Sequence, residues 1–351
     1  MLRLNHEVLF DIGKQLIEDG DAENVYKFAV SGKEPYKAMA KVFASLTNVE
    51  LYTTYYTVGW KDKCCEFELG REKPHSKFLF NQIGNSVTTL HIHSFVPLYQ
   101  SILDKIVTKK HLDTLYVSDT ACNNSVLYKF ISRCPSTLKN VSIPNLKMTK
   151  TFRDSLNLQT LTISNFREPH FPRFCCKTAS LEFSNRNEFS FLVANFWHAV
   201  DIKHTISPHI STIKELTFNE TTFYWRILHE GNQIDYILYL MKHFSSLETL
   251  KFNYTWCGRE KDYFDPLIYV KRRIRHLNDI IDTASQSQLP SKITCSFYKS
   301  TKNLVFPNLE VLKKIFRHFE YDETPSDFHC FQRTLQSVGN KESIFEVKIS
   351  K

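Results

Sequence analysis

The chain has 351 residues, of which 42% are hydrophobic, 23% charged and 14% aromatic, and it carries a formal net charge of +8. These values fit a packed globular protein and exclude wholesale disorder, and 9 Gly and 12 Pro leave little room for long low-complexity regions. The length suits one large elongated domain plus a small one, or two ordinary domains. Nine cysteines stand at 64, 65, 122, 134, 175, 176, 257, 295 and 330. Their odd count, irregular spacing and the absence of an apolar leader point to reduced thiols in a cytosolic or nuclear compartment. No run of residues is apolar enough for a membrane-spanning helix.

Residues 4–46 read as three short helices. Leu4, Val8, Leu9, Ile12 and Leu16 recur with helical spacing, with Asn5 as N-cap and Glu7 and Asp11 in or near the first turn. After the polar break Glu18-Asp19-Gly20-Asp21, the residues Ala22, Val25, Phe28 and Ala29 predict a second helix. Pro35 opens a third, with Met39, Val42 and Phe43 on one face. Such a module is too small to bury much surface alone. Residues 47–86 read as a connecting segment.

From residue 87 onward a short pattern recurs: apolar, two others, apolar, one other, apolar. The good copies are Leu112-Asp-Thr-Leu115-Tyr-Val117, Leu138-Lys-Asn-Val141-Ser-Ile143, Leu158-Gln-Thr-Leu161-Thr-Ile163, Ile213-Lys-Glu-Leu216-Thr-Phe218 and Leu247-Glu-Thr-Leu250-Lys-Phe252. Weaker copies start at Val87, Thr178 and Ile344. The last two apolar residues of each copy are two apart, hence on one face of a strand, and the first closes the same core from the preceding turn. One such unit cannot bury its apolar face alone, whereas stacked units make a continuous core. The central positions 90, 115, 141, 161 and 181 are separated by 25, 26, 20 and 20 residues, and the steps to 216 and 250 are 35 and 34. Beyond 250 the register fades until a candidate strand at Lys292-Ile-Thr-Cys-Ser-Phe297. Helical spacing between strands occurs at Leu98-Ile102-Leu103-Ile106-Val107 after Pro97, at Val126-Leu127-Phe130-Ile131 with Asn123 or Asn124 as cap, and at Ile234-Ile237-Leu238-Leu240-Met241. Alternating strands and helices predict an α/β fold with a mainly parallel sheet and helices outside it.

The strand pattern resembles the leucine-rich-repeat family, best over residues 85–255. Asn145, Asn165 and Asn185 recur after their strands, one position earlier than the Asn that closes turns in that family. The front end resembles an F-box: Leu4-Asn-His-Glu7-Val8-Leu9-Phe-Asp-Ile12 looks like its opening motif, Leu16 matches the following leucine, and Asp21, Val25, Phe28, Ser31 and Lys33 fall in its second stretch. Asn5 replaces the usual Pro, and only Tyr36 represents the closing aromatic segment. Helices that merely cap a repeat stack would use much the same residues. The combination resembles the divergent F-box/leucine-rich-repeat proteins of nematode type. It implies three segments: 1–46 an F-box-like module, 47–86 a connection, and 87–351 an irregular leucine-rich-repeat-like solenoid. It also implies a non-enzymatic substrate receptor of an SCF-type ubiquitin ligase. Leu4, Glu7, Val8, Leu9, Ile12, Leu16, Val25 and Phe28 would then supply the contact with a Skp-type adaptor, or its supporting core. A repeat scaffold without a ligase link is the alternative reading.

The residue between the two strand apolar positions faces away from the core. These are His91, Tyr116, Ser142, Thr162, Glu182, Thr217 and Lys251, the candidate face for a protein substrate. A second column holds His93, Ser118, Ser164, Ser184, Asn219 and Asn253. The surface is polar and hydroxyl-rich, which suits a protein partner better than phosphate tracking. The one dense basic group, Lys271, Arg272, Arg273, Arg275 and His276, fits the solvated face of an amphipathic helix and makes nucleic acid the less favoured partner. No Gly-rich phosphate loop, nucleophile elbow or zinc-protease motif is present. Cys64-Cys65 and Cys175-Cys176 lack the spacing that lets two thiolates converge on zinc. His91 and His93 flank Ile92 on one face, but no third ligand stands near them in sequence. No catalytic group, metal or cofactor is therefore read from the sequence.

Overall fold

The computed structural model describes residues 5–61, 63–69, 79–118, 121, 125–133, 137–144, 156–164, 176–185, 208–222, 244–256, 270–271, 289–299, 306–336 and 342–351. It is an α/β protein with two compact units, Met1–Pro144 with Thr151–Leu158, and Asn145–Lys150 with Gln159–Lys351.

The first unit begins with helices α1 (His6–Glu18), α2 (Ala22–Val30) and α3 (Lys33–Ser45). The Asn5 side chain accepts from the Glu7 N–H and Asp21 accepts from the Asn24 N–H, so the first two helices start on side-chain caps. Leu9, Ile17, Val25, Ala29, Ala38, Met39, Val42 and Phe43 form their shared core. Gly13 permits the close crossing of α1 over α3: a Cβ there would lie 2.6 Å from the Met39 sulfur. Thus Val25, Ala29, Met39, Val42 and Phe43 sit inside as the spacing predicts, whereas the expected stripe on α1 divides. Leu9 is buried together with Ile17, but Val8 and Ile12 remain exposed.

The segment 47–86, read as a connection, carries the strands β1 (Asn48–Leu51), β2 (Tyr55–Trp60) and β3 (Lys63–Glu68), which form an antiparallel meander. The helices pack on this meander. Glu18 accepts a 2.6 Å hydrogen bond from Lys63, the Trp60 indole N–H donates to the Ser45 carbonyl at 3.0 Å, and Phe67 meets Tyr26 and Phe43 edge to face. β1 also pairs in parallel with β4 (Thr89–Ile92), followed by β5 (Thr114–Val117) and β6 (Asn140–Ile143), for a strand order β6-β5-β4-β1-β2-β3. Leu46-Thr-Asn-Val49-Glu-Leu51 is therefore a further copy of the recurring pattern, with all three apolar residues fully buried. A 3₁₀ turn (Pro97–Tyr99) runs into α4 (Gln100–Lys109), and α5 (Ser125–Ser132) precedes β6. Ile102, Leu103, Ile106, Leu127, Phe130 and Ile131 are their buried residues, as the spacing predicts. The proposed caps Asn123 and Asn124 lie outside the described residues.

The second unit has the order β12-β13-β14-β11-β10-β9-β8-β7. Its strands are β7 (Asn157–Ile163, whose last five residues belong here), β8 (Lys177–Asn185), β9 (Glu215–Thr222), β10 (Thr249–Trp256), β11 (Lys292–Lys299), β12 (Glu320–Asp322), β13 (Phe328–Gln336) and β14 (Glu342–Ser350). From β8 to β11, and on to β14, the pairing is parallel; β12-β13-β14 is antiparallel. A 3₁₀ turn (Pro208–Thr212) precedes β9, and α6 (Leu309–Ile315) starts on Asn308, which accepts from the Val311 N–H. The high Phe content fills this core. Phe183, Phe218 and Phe252 stack from strand to strand at 5.7 and 5.6 Å. The helix expected over 234–241 lies outside the described residues.

One expectation about the pattern is corrected. Ile344 does not lead into β14 from a buried turn: it is 42% exposed, and Phe345 stands opposite Ile293 while Val347 stands opposite Cys295. The reason is that β14 returns from the antiparallel β13, so it alternates Phe345, Val347, Ile349 inward with no leading apolar residue to close a turn. The turns themselves are closed by main-chain groups. The Thr47 carbonyl accepts from Thr88 and Thr89, that of Thr88 from Asp113 and Thr114, that of Asp113 from Lys139 and Asn140, and that of Lys214 from Glu248 and Thr249, all at 2.8–3.0 Å. The side chains of Asn145, Asn165 and Asn185 lie outside the described residues. Thr178, standing where an apolar residue is expected, is buried, and its hydroxyl donates to the Ser180 carbonyl at 2.7 Å.

Candidate functional site

Three surfaces carry the residues singled out in the sequence. The first is the outer side of α1. Because 3.6 residues make a turn, residues four apart share a face. Leu9, Gly13 and Ile17 occupy the inner face, and Val8 and Ile12 stand outside, 42% and 37% exposed, with Glu7 exposed beside them and Leu16 half-buried. On α2, Val25 is buried and Phe28 half-buried, and Val30 at its end is 54% exposed. Of the residues read as an adaptor contact or its supporting core, Leu9 and Val25 are therefore core, and Glu7, Val8 and Ile12 are available for contact. Leu4 lies outside the described residues.

The second surface is the polar face of the first unit's sheet. In-phase parallel pairing places Glu50, His91, Tyr116 and Ser142 side by side, each half-buried, while their neighbours Val49, Leu90, Leu115 and Val141 point into the core. His93 lies two residues beyond His91 on the same face. Tyr52, just after β1, donates its hydroxyl to Glu50 Oε2 at 2.6 Å and stacks on His93 with ring centroids 4.3 Å apart and planes 4° from parallel. Its other ring face stacks on Tyr55 at 4.2 Å. From within the core, the Tyr99 hydroxyl makes hydrogen bonds to the carbonyls of Tyr52 (2.7 Å) and Tyr55 (2.9 Å), which fixes this turn. The His93 ring nitrogen Nε2 lies 3.7 Å from Glu50 Oε2, and Tyr116 approaches both histidine rings, at 5.4 and 5.5 Å. Burial favours the neutral imidazole of His93 and lowers its pKa, against the pull of Glu50. Burial, then the bond to Glu50, raises the pKa of Tyr52, so its proton stays on the phenol. Glu50 is the residue that sequence reasoning missed. It supplies the third polar group beside His91 and His93, and the signal that could have found it is the Leu46–Leu51 copy of the strand pattern.

The third surface belongs to the second unit, where Glu182, Thr217, Lys251, Thr294 and Glu346 follow one another across neighbouring strands. Thr217 is buried, flanked by the Lys251–Glu215 ion pair at 2.7 Å and by Asn219, which donates to Glu182. Asn253 in turn donates to Asn219 at 2.8 Å. Burial raises the pKa of Glu182, and the bond from Asn219 opposes the shift. Thr162 on β7 and Ser184 on β8 are half-buried, as are Ser118 and Ser164 just beyond the ends of β5 and β7. Lys251, Lys292, Lys348, Tyr298 and Phe328 line a cavity of about 580 Å³ around Glu346. Glu346 is only 4% exposed and is held by Lys292 (3.0 Å), Lys348 (3.1 Å), the Thr294 hydroxyl (3.3 Å) and the Gln332 amide (3.2 Å). Burial works against its charge, but the two lysines prevail and its pKa is lowered. The lysines of this cavity are paired with Glu215 and Glu346, and Tyr298 and Phe328 give it aromatic walls.

Cys64 is exposed while its neighbour Cys65 is buried, so the two thiols diverge as their adjacency on a strand requires. Lys271 is exposed next to buried Val270, and the rest of the basic group lies outside the described residues. Among the described residues, no helix is long and apolar enough to cross a membrane. No family model, no curated protein and no solved structure matches this chain.

Proposed function

We propose that this chain is a non-enzymatic recognition protein, the substrate receptor of an SCF-type ubiquitin ligase. The observation that carries the reading is the exposed pair Val8 and Ile12, one helical turn apart on a helix whose opposite face is sealed by Leu9 and Ile17. These residues fall at the apolar positions of the F-box-like opening motif, and an apolar helix face flanked by an acidic residue suits docking onto a Skp-type adaptor. The repeated, in-phase parallel strands support a leucine-rich-repeat-like architecture. The polar columns from His91 and Glu182 onward offer a surface for a target protein. The ligase chemistry then resides in other subunits, and the odd, irregularly spaced cysteines are in keeping with a cytosolic or nuclear setting.

The test is a pull-down of the full chain with a Skp-type adaptor. Retention of adaptor by the wild-type chain, and its loss in Val8→Asp and Ile12→Asp variants that keep the wild-type melting temperature, supports the reading. Failure of the wild-type chain to retain adaptor, or full retention by both variants, overturns it.

The packing of α1–α3 on the β2–β3 hairpin favours a second reading, a stand-alone repeat scaffold with a helical cap. That reading predicts no adaptor binding, and aggregation of the chain once residues 1–46 are deleted.

A further inference from the structure

We propose that Glu50, His91 and His93 form a three-ligand site for a divalent transition-metal ion of the zinc class, with one coordination position left open on the polar face of the sheet. The inference is independent of the ligase reading. It rests on one consequence of strand register: β1 and β4 run parallel with Glu50 opposite His91, and the strand repeat of two brings His93 to the same side. One ligating atom from each residue can be chosen so that all three lie within 4.8 Å of one another. Four-coordinate zinc with bonds of about 2.0–2.1 Å holds its ligand atoms roughly 3.4 Å apart, so side-chain rotations moving the donor atoms by about 1 Å close the site.

The donor chemistry selects the class of ion. Two imidazole nitrogens and one carboxylate oxygen suit borderline divalent metals, whereas magnesium and calcium take oxygen donors. All three residues are half-buried, so an ion reaches them from solvent, and a water or a donor atom of a bound partner can complete the shell. The surroundings orient the ligands as outer-shell groups do around metals. The Tyr52 hydroxyl bonds to Glu50, and its ring lies flat against His93, fixing the plane of that imidazole.

The experiment uses the tag-free full-length chain, freed of metal by chelation and titrated with Co2+ and then Zn2+, reading the visible absorption of cobalt. One equivalent of Co2+ is expected to give a saturable band that Zn2+ bleaches. His91→Ala, His93→Ala and Glu50→Gln should each weaken binding by at least about tenfold, and Tyr52→Phe should weaken it by about tenfold with the stoichiometry kept. Tyr116→Phe should bind as the wild type does. Far-UV circular dichroism checks each fold; should an alanine variant unfold, His91→Gln and Glu50→Gln decide. No saturable binding, or binding undiminished in the well-folded ligand variants, overturns the site.

Discussion

Lys292 on β11 reaches diagonally to Glu346 on the neighbouring strand β14, where Glu346 stands opposite Thr294, and brings its ammonium 3.0 Å from a carboxylate oxygen that is almost fully enclosed. A buried carboxylate is tolerated only when paired and hydrogen-bonded, and here Lys348, Thr294 and Gln332 complete the set. Glu346→Gln should therefore destabilise the chain by about 1–3 kcal/mol at neutral pH, measured by urea unfolding.

The pH dependence follows from the direction of the shift. The folded-state pKa of Glu346 lies below its ordinary value of 4.5, so its contribution is complete above that value and is lost as the pH falls through the lower folded value. Unfolding midpoints of wild type and Glu346→Gln should differ at neutral pH and converge on acidification below 4.5. A gap that stays constant into acid would contradict this account of the ionised carboxylate.

The two faces of α1 should separate by mutation. Ile17 is fully buried, and Ile17→Ala should cost about 2–4 kcal/mol. Ile12 is exposed, and Ile12→Ala should change stability by no more than about 0.5 kcal/mol. Thermal melts of both variants decide, and equal losses would mean that the outer face of α1 is packed.

The β2–β3 hairpin depends on Gly59, which stands opposite Cys64. A Cβ there would fall 2.0 Å from the Lys63 carbonyl oxygen, a main-chain atom that cannot move aside. Gly59→Ala should destabilise by about 3 kcal/mol. Gly13→Ala should cost less, since it meets the flexible end of Met39.

Phe218 stacks between Phe183 and Phe252. Phe218→Ala should cost about 3–5 kcal/mol, and Phe218→Leu distinctly less, because leucine refills most of the volume. Chemical denaturation of the pair measures the difference.

Local periodicities are legible in the chain alone. The spacing of Ile102, Leu103 and Ile106, and the two-residue alternation at Leu115–Val117 or Leu250–Phe252, mark the helices and strands because each requires only the neighbouring turn or pleat. The outward columns were legible for the same reason: once Leu90 and Ile92 face the core, His91 and His93 must face away. Tertiary structure decided everything that depends on which strands meet. Val8 and Leu9 both fit an apolar stripe, and only the crossing at Gly13 shows which one α3 covers. Leu46–Leu51 is a recognisable copy of the strand pattern, yet its place beside β4 depends on a pairing that bypasses the whole β2–β3 hairpin. Ile344 copies the pattern and is exposed, because an antiparallel partner set the frame of β14. Glu50 reaches His91 and His93 by the same kind of long-range register. Strand pairing is a relation between distant segments, and no local spacing encodes the partner.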